Sequence, residues 1–201
     1  LHDALPIYQE DRRVWRGVAP TQYYLPAYVG LVMASVGLIS LPLRLAAYRE
    51  QGVLRRFQAA GLPLTAIMVS QAMVAIAVAV IGGAGITVAS GITYDTSLPA
   101  DWAGTILAFV VSALAFSAIG LLLGGILPTA RAAQGAGLTL FFVMMFICGA
   151  GPPRAVLTSG MRTFSDFLPL THVIIALQDP WLGYGWPWSE FAIVTAILGA
   201  V

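Results

Sequence analysis

The chain contains no lysine: all ten basic residues among its 201 are arginines. That absence excludes a phosphate-binding loop of the Gly-Lys-Ser/Thr type and any lysine Schiff base, so this polypeptide does not power itself with ATP. Cysteine is nearly absent as well. The one thiol, Cys148, excludes an intrachain disulfide and reads as a small buried hydrophobe at the end of an apolar stretch. The two histidines, His2 and His172, have no second His, Cys or carboxylate cluster at ligand spacing, so no metal site is expected. Charge is scarce throughout, at 9 % of residues.

What the chain has in quantity is apolar sequence, 59 % of residues, in blocks too long and continuous for a soluble core of this size. A bilayer's hydrocarbon layer takes about 20 apolar residues per helix, and lipid satisfies no stray backbone polar group, so each block is expected to be helical. A transmembrane barrel would alternate polar and apolar residues, and this chain does not. The expected class is an all-α polytopic bundle, with spans from Tyr24 to Ala47, Leu64 to Ser90, Ala103 to Leu127 and Ala132 to Ala150. A fifth begins near Phe191 and is still apolar at Val201, so the last span reads as cut short. Leu1 to Pro20 is too polar for a span or a signal peptide. Leu1 to Ile7 is compatible with foreign sequence and carries no functional reading. Residues 23–201 are expected to be the transmembrane domain.

Between the first two spans lies Tyr48-Arg49-Glu50-Gln51-Gly52-Val53-Leu54-Arg55-Arg56-Phe57, followed by Gly61-Leu62-Pro63. A basic amphipathic segment between spans belongs on the cytoplasmic surface, where a soluble partner can push on it. Basic residues tie between the two sides of the membrane, but Arg49, Arg55 and Arg56 crowd against span ends, whereas Arg154 and Arg162 sit in a longer segment with Asp166 and Asp179. On one continuous helix Arg49, Val53, Arg56 and Phe57 share a face, and Val53 and Phe57 are expected to dock into a partner's groove. Glu50 and Leu54 lie on an adjacent stripe, with Glu50 pairing to a basic residue of the partner or to Arg56. The alternative is that the arginines only hold phospholipid headgroups and fix topology.

The interiors of the second, third and fourth spans carry no Asp, Glu, Arg or His, which disfavours ion coupling through a buried carboxylate. Gly120 and Gly124 form a GxxxG spacing that lets helix backbones approach, within the chain or between copies. Phe141, Phe142, Met144 and Met145 offer an adaptable apolar lining for a substrate pathway, or simply face neighbouring helices and lipid. From Gly151 to Glu190 the prolines, including Pro169, and the cluster Trp181, Tyr184, Trp186 and Trp188 fit a short interfacial or re-entrant helical segment at the outer face. Ser159, Asp166 and His172 lie there too, without a nucleophile-elbow pattern, and read as capping and turn residues. No catalytic residue is expected.

These blocks carry a resemblance. Arg49-Glu50-Gln51-Gly52-Val53-Leu54-Arg55-Arg56 with Gly61-Leu62-Pro63-Leu64, Gly120-Leu121-Leu122-Leu123-Gly124 with Pro128-Thr129-Ala130-Arg131-Ala132-Ala133-Gln134, and Leu168-Pro169-Leu170-Thr171-His172 stand in the order found in the membrane-spanning permease subunit of ABC-2 type ATP-binding-cassette exporters. The chain resembles that family from about Tyr23 onward. It departs at Cys148-Gly149-Ala150-Gly151-Pro152, where members often carry Ser-Gly and a later Pro. The resemblance implies six helices per full subunit, of which about five are visible here; the first span above is then the family's second, and residues 1–22 are expected to be the remnant of an outer loop. It further implies export of a hydrophobic compound, drug, lipid or polysaccharide, and ATP hydrolysis in a separate cytoplasmic subunit. It implies a homodimer or heterodimer of permease subunits in contact with membrane lipid, in a bacterial plasma membrane, with no cofactor and no nucleic-acid partner. The coupling loop is then Arg49, Glu50, Val53, Arg55, Arg56 and Phe57, and the outer segment carries Pro169 and His172. Two other readings compete: a scaffold or sensor subunit that does not transport and, more weakly, an intramembrane hydrolase.

Overall fold

The computed structural model describes residues 14–94 and 96–200, and among them helices are the only regular elements. Leu1 to Ile7, His2, Arg12 and Arg13 lie outside the described residues; of the expected 1–22 remnant, residues 14–22 are described, and they lead straight into the first helix.

The first span is one continuous rod in three parts: α1 (Pro20–Ser35), a π-helical turn (Val36–Ser40) and α2 (Leu41–Glu50). Pro20 opens it at a position where a missing N–H costs nothing. The π turn has an identifiable cause. Pro42 has no N–H to give the carbonyl of Leu38 four residues back, and its ring crowds that carbonyl, so the ladder relaxes by one residue and Leu41 N–H bonds the Val36 carbonyl instead. At 31 residues the rod is about 46 Å long, well beyond the ~30 Å of hydrocarbon, so both ends reach the headgroup layers or water. After α3 (Val53–Ala59) comes α4 (Leu64–Tyr94), also 31 residues. Then follow α5 (Trp102–Ile126) and α6 (Ala130–Ile147). With the first rod and α4 these make 4 stretches long and apolar enough to cross a membrane, matching the four expected spans.

The remaining chain forms a 3-10 turn (Arg154–Val156), α7 (Ser159–Ser165), α8 (Pro169–Leu182) and α9 (Trp188–Ala200). Pro169 starts α8 and does not break a helix, again at a position that needs no N–H. α8 is a core element: Leu170, Val173, Ile174 and Leu177 are buried in the same cluster as Met33, Leu38 and Phe116. Ile174 lies against Gly30, and the Gln178 amide donates to the Tyr23 carbonyl at 3.0 Å, so α8 runs antiparallel to the N-terminal part of α1. Its far end holds the start of α5: Ala100 and Asp101 N–H groups donate to the carbonyls of Trp181 and Pro180, both at 3.0 Å. The Asp101 carboxylate then caps α5 by accepting from Ala103 and Gly104.

The first rod is the spine of the bundle because small residues let α5 and α6 touch its backbone. A Cβ on Gly120 would stand 2.1 Å from the Gly37 carbonyl oxygen, and one on Gly137 would stand 1.9 Å from that of Leu38. Both carbonyls belong to the π turn. Helices in lipid associate through such close packing, since burial between them removes no water. The Gly120-Gly124 pair therefore serves a contact inside the chain, where Gly124 meets Pro42 and Leu45.

Candidate functional site

The segment between α2 and α4 is not one helix. Gly52, at φ +68, ends α2 in the left-handed conformation that glycine adopts without strain, and Gly61, at φ +82, ends α3 the same way. Arg49 and Glu50 thus close α2, whereas Val53 to Ala59 form a separate short helix. The shared face expected for Arg49, Val53, Arg56 and Phe57 is broken at Gly52. Val53 and Leu54 are half-buried, while Arg55, Arg56 and Phe57 are exposed, Phe57 to 38 %.

Arg49 and Glu50 are exposed, yet each bonds to a helix end of its own chain. Arg49 Nη1 donates to the carbonyls of Gly124 at 3.0 Å and Leu127 at 3.1 Å, and to that of Gly125. These are carbonyls at the end of α5, where the helix has no further N–H to offer. The Glu50 carboxylate accepts from Ala130 N–H at 3.0 Å, the first residue of α6, whose second free donor, Ala132 N–H, goes to Thr129 Oγ1. Glu50 therefore pairs with a helix end of its own chain and not with Arg56. The corner encloses a crevice of about 470 Å³ walled by Leu54, Met68 and Leu121 and edged by Arg49, Glu50 and Arg55. Proximity of Arg49 and Glu50 to 124–130 was invisible in the sequence, where they lie some 80 positions apart.

The four residues offered as a substrate pathway diverge around α6. Met144 is 4 % exposed in the core, Phe141 is partly buried against it, Met145 is half-buried, and Phe142 is 48 % exposed on the other side. A cleft that sequence reasoning did not find lies elsewhere, between α1, α4, α5 and α8. It measures about 480 Å³ and is lined by Val29, Gly83, Thr87, Trp102, Thr105 and Trp181 among others. Its two threonine hydroxyls are spent on their own helices, Thr87 on the Gly83 carbonyl and Thr105 on that of Asp101. The cleft offers hydrocarbon contact and no charge. Its lining comes from four elements, so no local pattern announces it.

At the opposite end His172 is held from both sides. Nδ1 meets the Glu190 carboxylate at 2.6 Å and Nε2 meets the Asp166 main-chain carbonyl at 2.8 Å. The Asp166 carboxylate pairs with Arg154 at 2.5 Å. Neither ring nitrogen is left for Ser159, which opens α7 behind the Thr158 cap, so the three residues do not form a hydrolytic triad. Pro169 and His172 instead set where α8 starts and fasten it to α9. Nearby, Arg16 pairs with Asp179 at 2.8 Å and lies over the Tyr184 ring, and Trp186 stacks on Trp188. Cys148 is buried, and no group of His, Cys, Asp and Glu suited to a metal ion occurs among the described residues.

A family model described as ABC-2 type transporter matches residues 13–180. No curated protein and no solved structure matches the chain.

Proposed function

The chain belongs to the ABC-2 type transporter family and is a multi-pass membrane protein, and on that premise we propose that it is the permease subunit of an ATP-binding-cassette exporter whose ATP is hydrolysed by a separate cytoplasmic subunit. The observation that carries the proposal is α3: a short helix hung beyond the ends of α2 and α4, presenting Arg55, Arg56 and Phe57 outward while Arg49 and Glu50 before it are bonded to the ends of α5 and α6. A helix so placed suits a push from a soluble partner better than it suits lipid anchoring, because its charged and aromatic side chains stand exposed around it and not on a single apolar face. The α3 end faces the cytoplasm, and the α8 end, with its tryptophans and tyrosines, faces outward. The bare side of α6 around Phe142 and Phe146, exposed to 48 % and 59 %, suits a second permease subunit. Closure of paired ATPase subunits on ATP would shift α3 and, through it, the packing of the spans. The uncharged cleft under Trp102 suits a hydrophobic or lipid-like cargo, in a bacterial plasma membrane.

Purification of the full-length protein from native membranes tests this. The expected result is co-purification of an ATP-hydrolysing polypeptide, with no hydrolysis by this chain alone. Recovery from intact membranes with no nucleotide-binding partner overturns the proposal.

A further inference from the structure

We propose that Arg49 and Glu50 are positioning residues that clamp the α2–α3 corner to the ends of α5 and α6, so that a push on α3 passes into those two helices, while contact with the ATPase subunit falls to Arg55, Arg56 and Phe57 alone. The inference rests on the coupling reading above and divides its residues into two groups with different roles.

The signs of the charges fit the two helix ends. The last carbonyls of α5 form the negative end of its dipole and accept from a guanidinium; the first N–H of α6 lies at the positive end and donates to a carboxylate. Neighbouring residues on a helix project about 100° apart, which lets Arg49 and Glu50 reach two different helices from the last turn of α2. The contact continues a backbone seam. One turn away, a Cβ on Gly124 would stand 2.9 Å from Leu45 Cβ and 3.0 Å from Pro42 Cα, so α2 and α5 touch there without intervening side chains. From the π turn to the corner, α2 is thus gripped by α5 and α6 at both ends. Arg49 through Nη1 and Glu50 through Oε1 are already bonded to helix ends of their own chain, although both side chains are exposed, and a tethered side chain suits transmission of a push better than first contact with a partner. The exposed surface of α3 has no such commitment among the described residues.

Hydrogen–deuterium exchange on the full chain, purified without its ATPase subunit, tests the clamp. Glu50→Ala is expected to speed exchange at amides 130–133 about two- to fivefold, the range for losing a charge at a solvated helix end. Arg49→Ala is expected to do the same at the last turn of α5, and Phe57→Ala to leave both regions at the wild-type rate. Should Glu50→Ala fail to fold, Glu50→Asp, one methylene too short to reach Ala130, takes its place. In the reconstituted complex, Glu50→Gln keeps an oxygen that accepts from Ala130 N–H and is expected to retain most of the ATPase response to permease, whereas Glu50→Ala loses it. Unaltered exchange at 130–133 in the Glu50 variants overturns the clamp. So does an ATPase response abolished as fully by Glu50→Gln as by Glu50→Ala, which is the pattern of an ion pair with the partner. If no ATPase subunit is recovered, the transporter reading fails by itself, and the exchange result still decides the clamp.

Discussion

The first rod and α4 are both 31 residues long and both strongly apolar, yet 56 % of the most apolar window of the first is buried inside the bundle against 17 % for the second. In water such a difference would follow from amphipathicity. In a bilayer hydrocarbon is as good a neighbour for lipid as for protein, so apolar content says that a helix crosses and not what it touches. The distinction lies with small residues and their partners. The first rod offers two π-turn carbonyls to glycines of α5 and α6. α4 has glycines as well, but Gly82 and Gly83 meet only side chains, Val32 on the one and Val29 and Phe109 on the other, and Gly85 and Gly91 face open space, with nothing within 4 Å of a Cβ built on either. A glycine in a span organises packing only where another backbone meets it.

The comparison can be broken at its strongest point by Gly120→Ala and Gly137→Ala. Each added methyl would fall within 2.1 Å and 1.9 Å of a backbone oxygen that no rotamer change can move. Loss of more than about 4 kcal/mol is expected, seen as failure to recover monodisperse protein in detergent. Wild-type melting in both variants would show that the seam is slack.

An intermediate effect is expected from one substitution made in both spans. Met33 is 1 % exposed and Met73 is 66 % exposed. Met33→Ala should lower stability by about 2 kcal/mol, the lower part of the range for a buried methionine because lipid already solvates the unfolded reference. Met73→Ala should stay within about 0.5 kcal/mol. Equal thermal shifts would mean that α4 is as enclosed as the first rod.

The smallest effect has the opposite sign. Gly85→Ala adds a methyl into open space and removes backbone freedom, so it should raise stability by up to about 1 kcal/mol. Destabilisation in thermal melts of the isolated chain would reveal a contact on this face of α4.

The same contrast marks what could be read in advance. Spans, their order and the separate character of the Arg49–Phe57 segment were legible, because hydrocarbon thickness and the clustering of arginines act through local composition. The proline at 169 was legible as a boundary, and it opens α8 at the first helical position. Legibility failed wherever a residue acts through one far away in the chain. Arg49 was placed on one face with Val53, Arg56 and Phe57, and Glu50 on one stripe with Leu54, because a continuous helix was assumed through Gly52, and φ +68 there turns α3 away from them. Phe141, Phe142, Met144 and Met145 were grouped by type, and a helix distributes four near-consecutive side chains around its axis.

By itself the amino-acid sequence determined that this protein crosses a membrane several times as helices, that these 201 residues hold no lysine for a phosphate-binding loop, and that the basic segment lies between two spans. Length, apolarity and the residues that are missing act without reference to any fold. Tertiary structure alone decided which apolar helix became the spine, where the uncharged cleft opened under Trp102, and that Arg49 and Glu50 close the ends of α5 and α6. Those outcomes depend on which backbones come close enough for a glycine to matter or a helix end to need a charge, and in lipid no hydrophobic pattern along the chain encodes that choice.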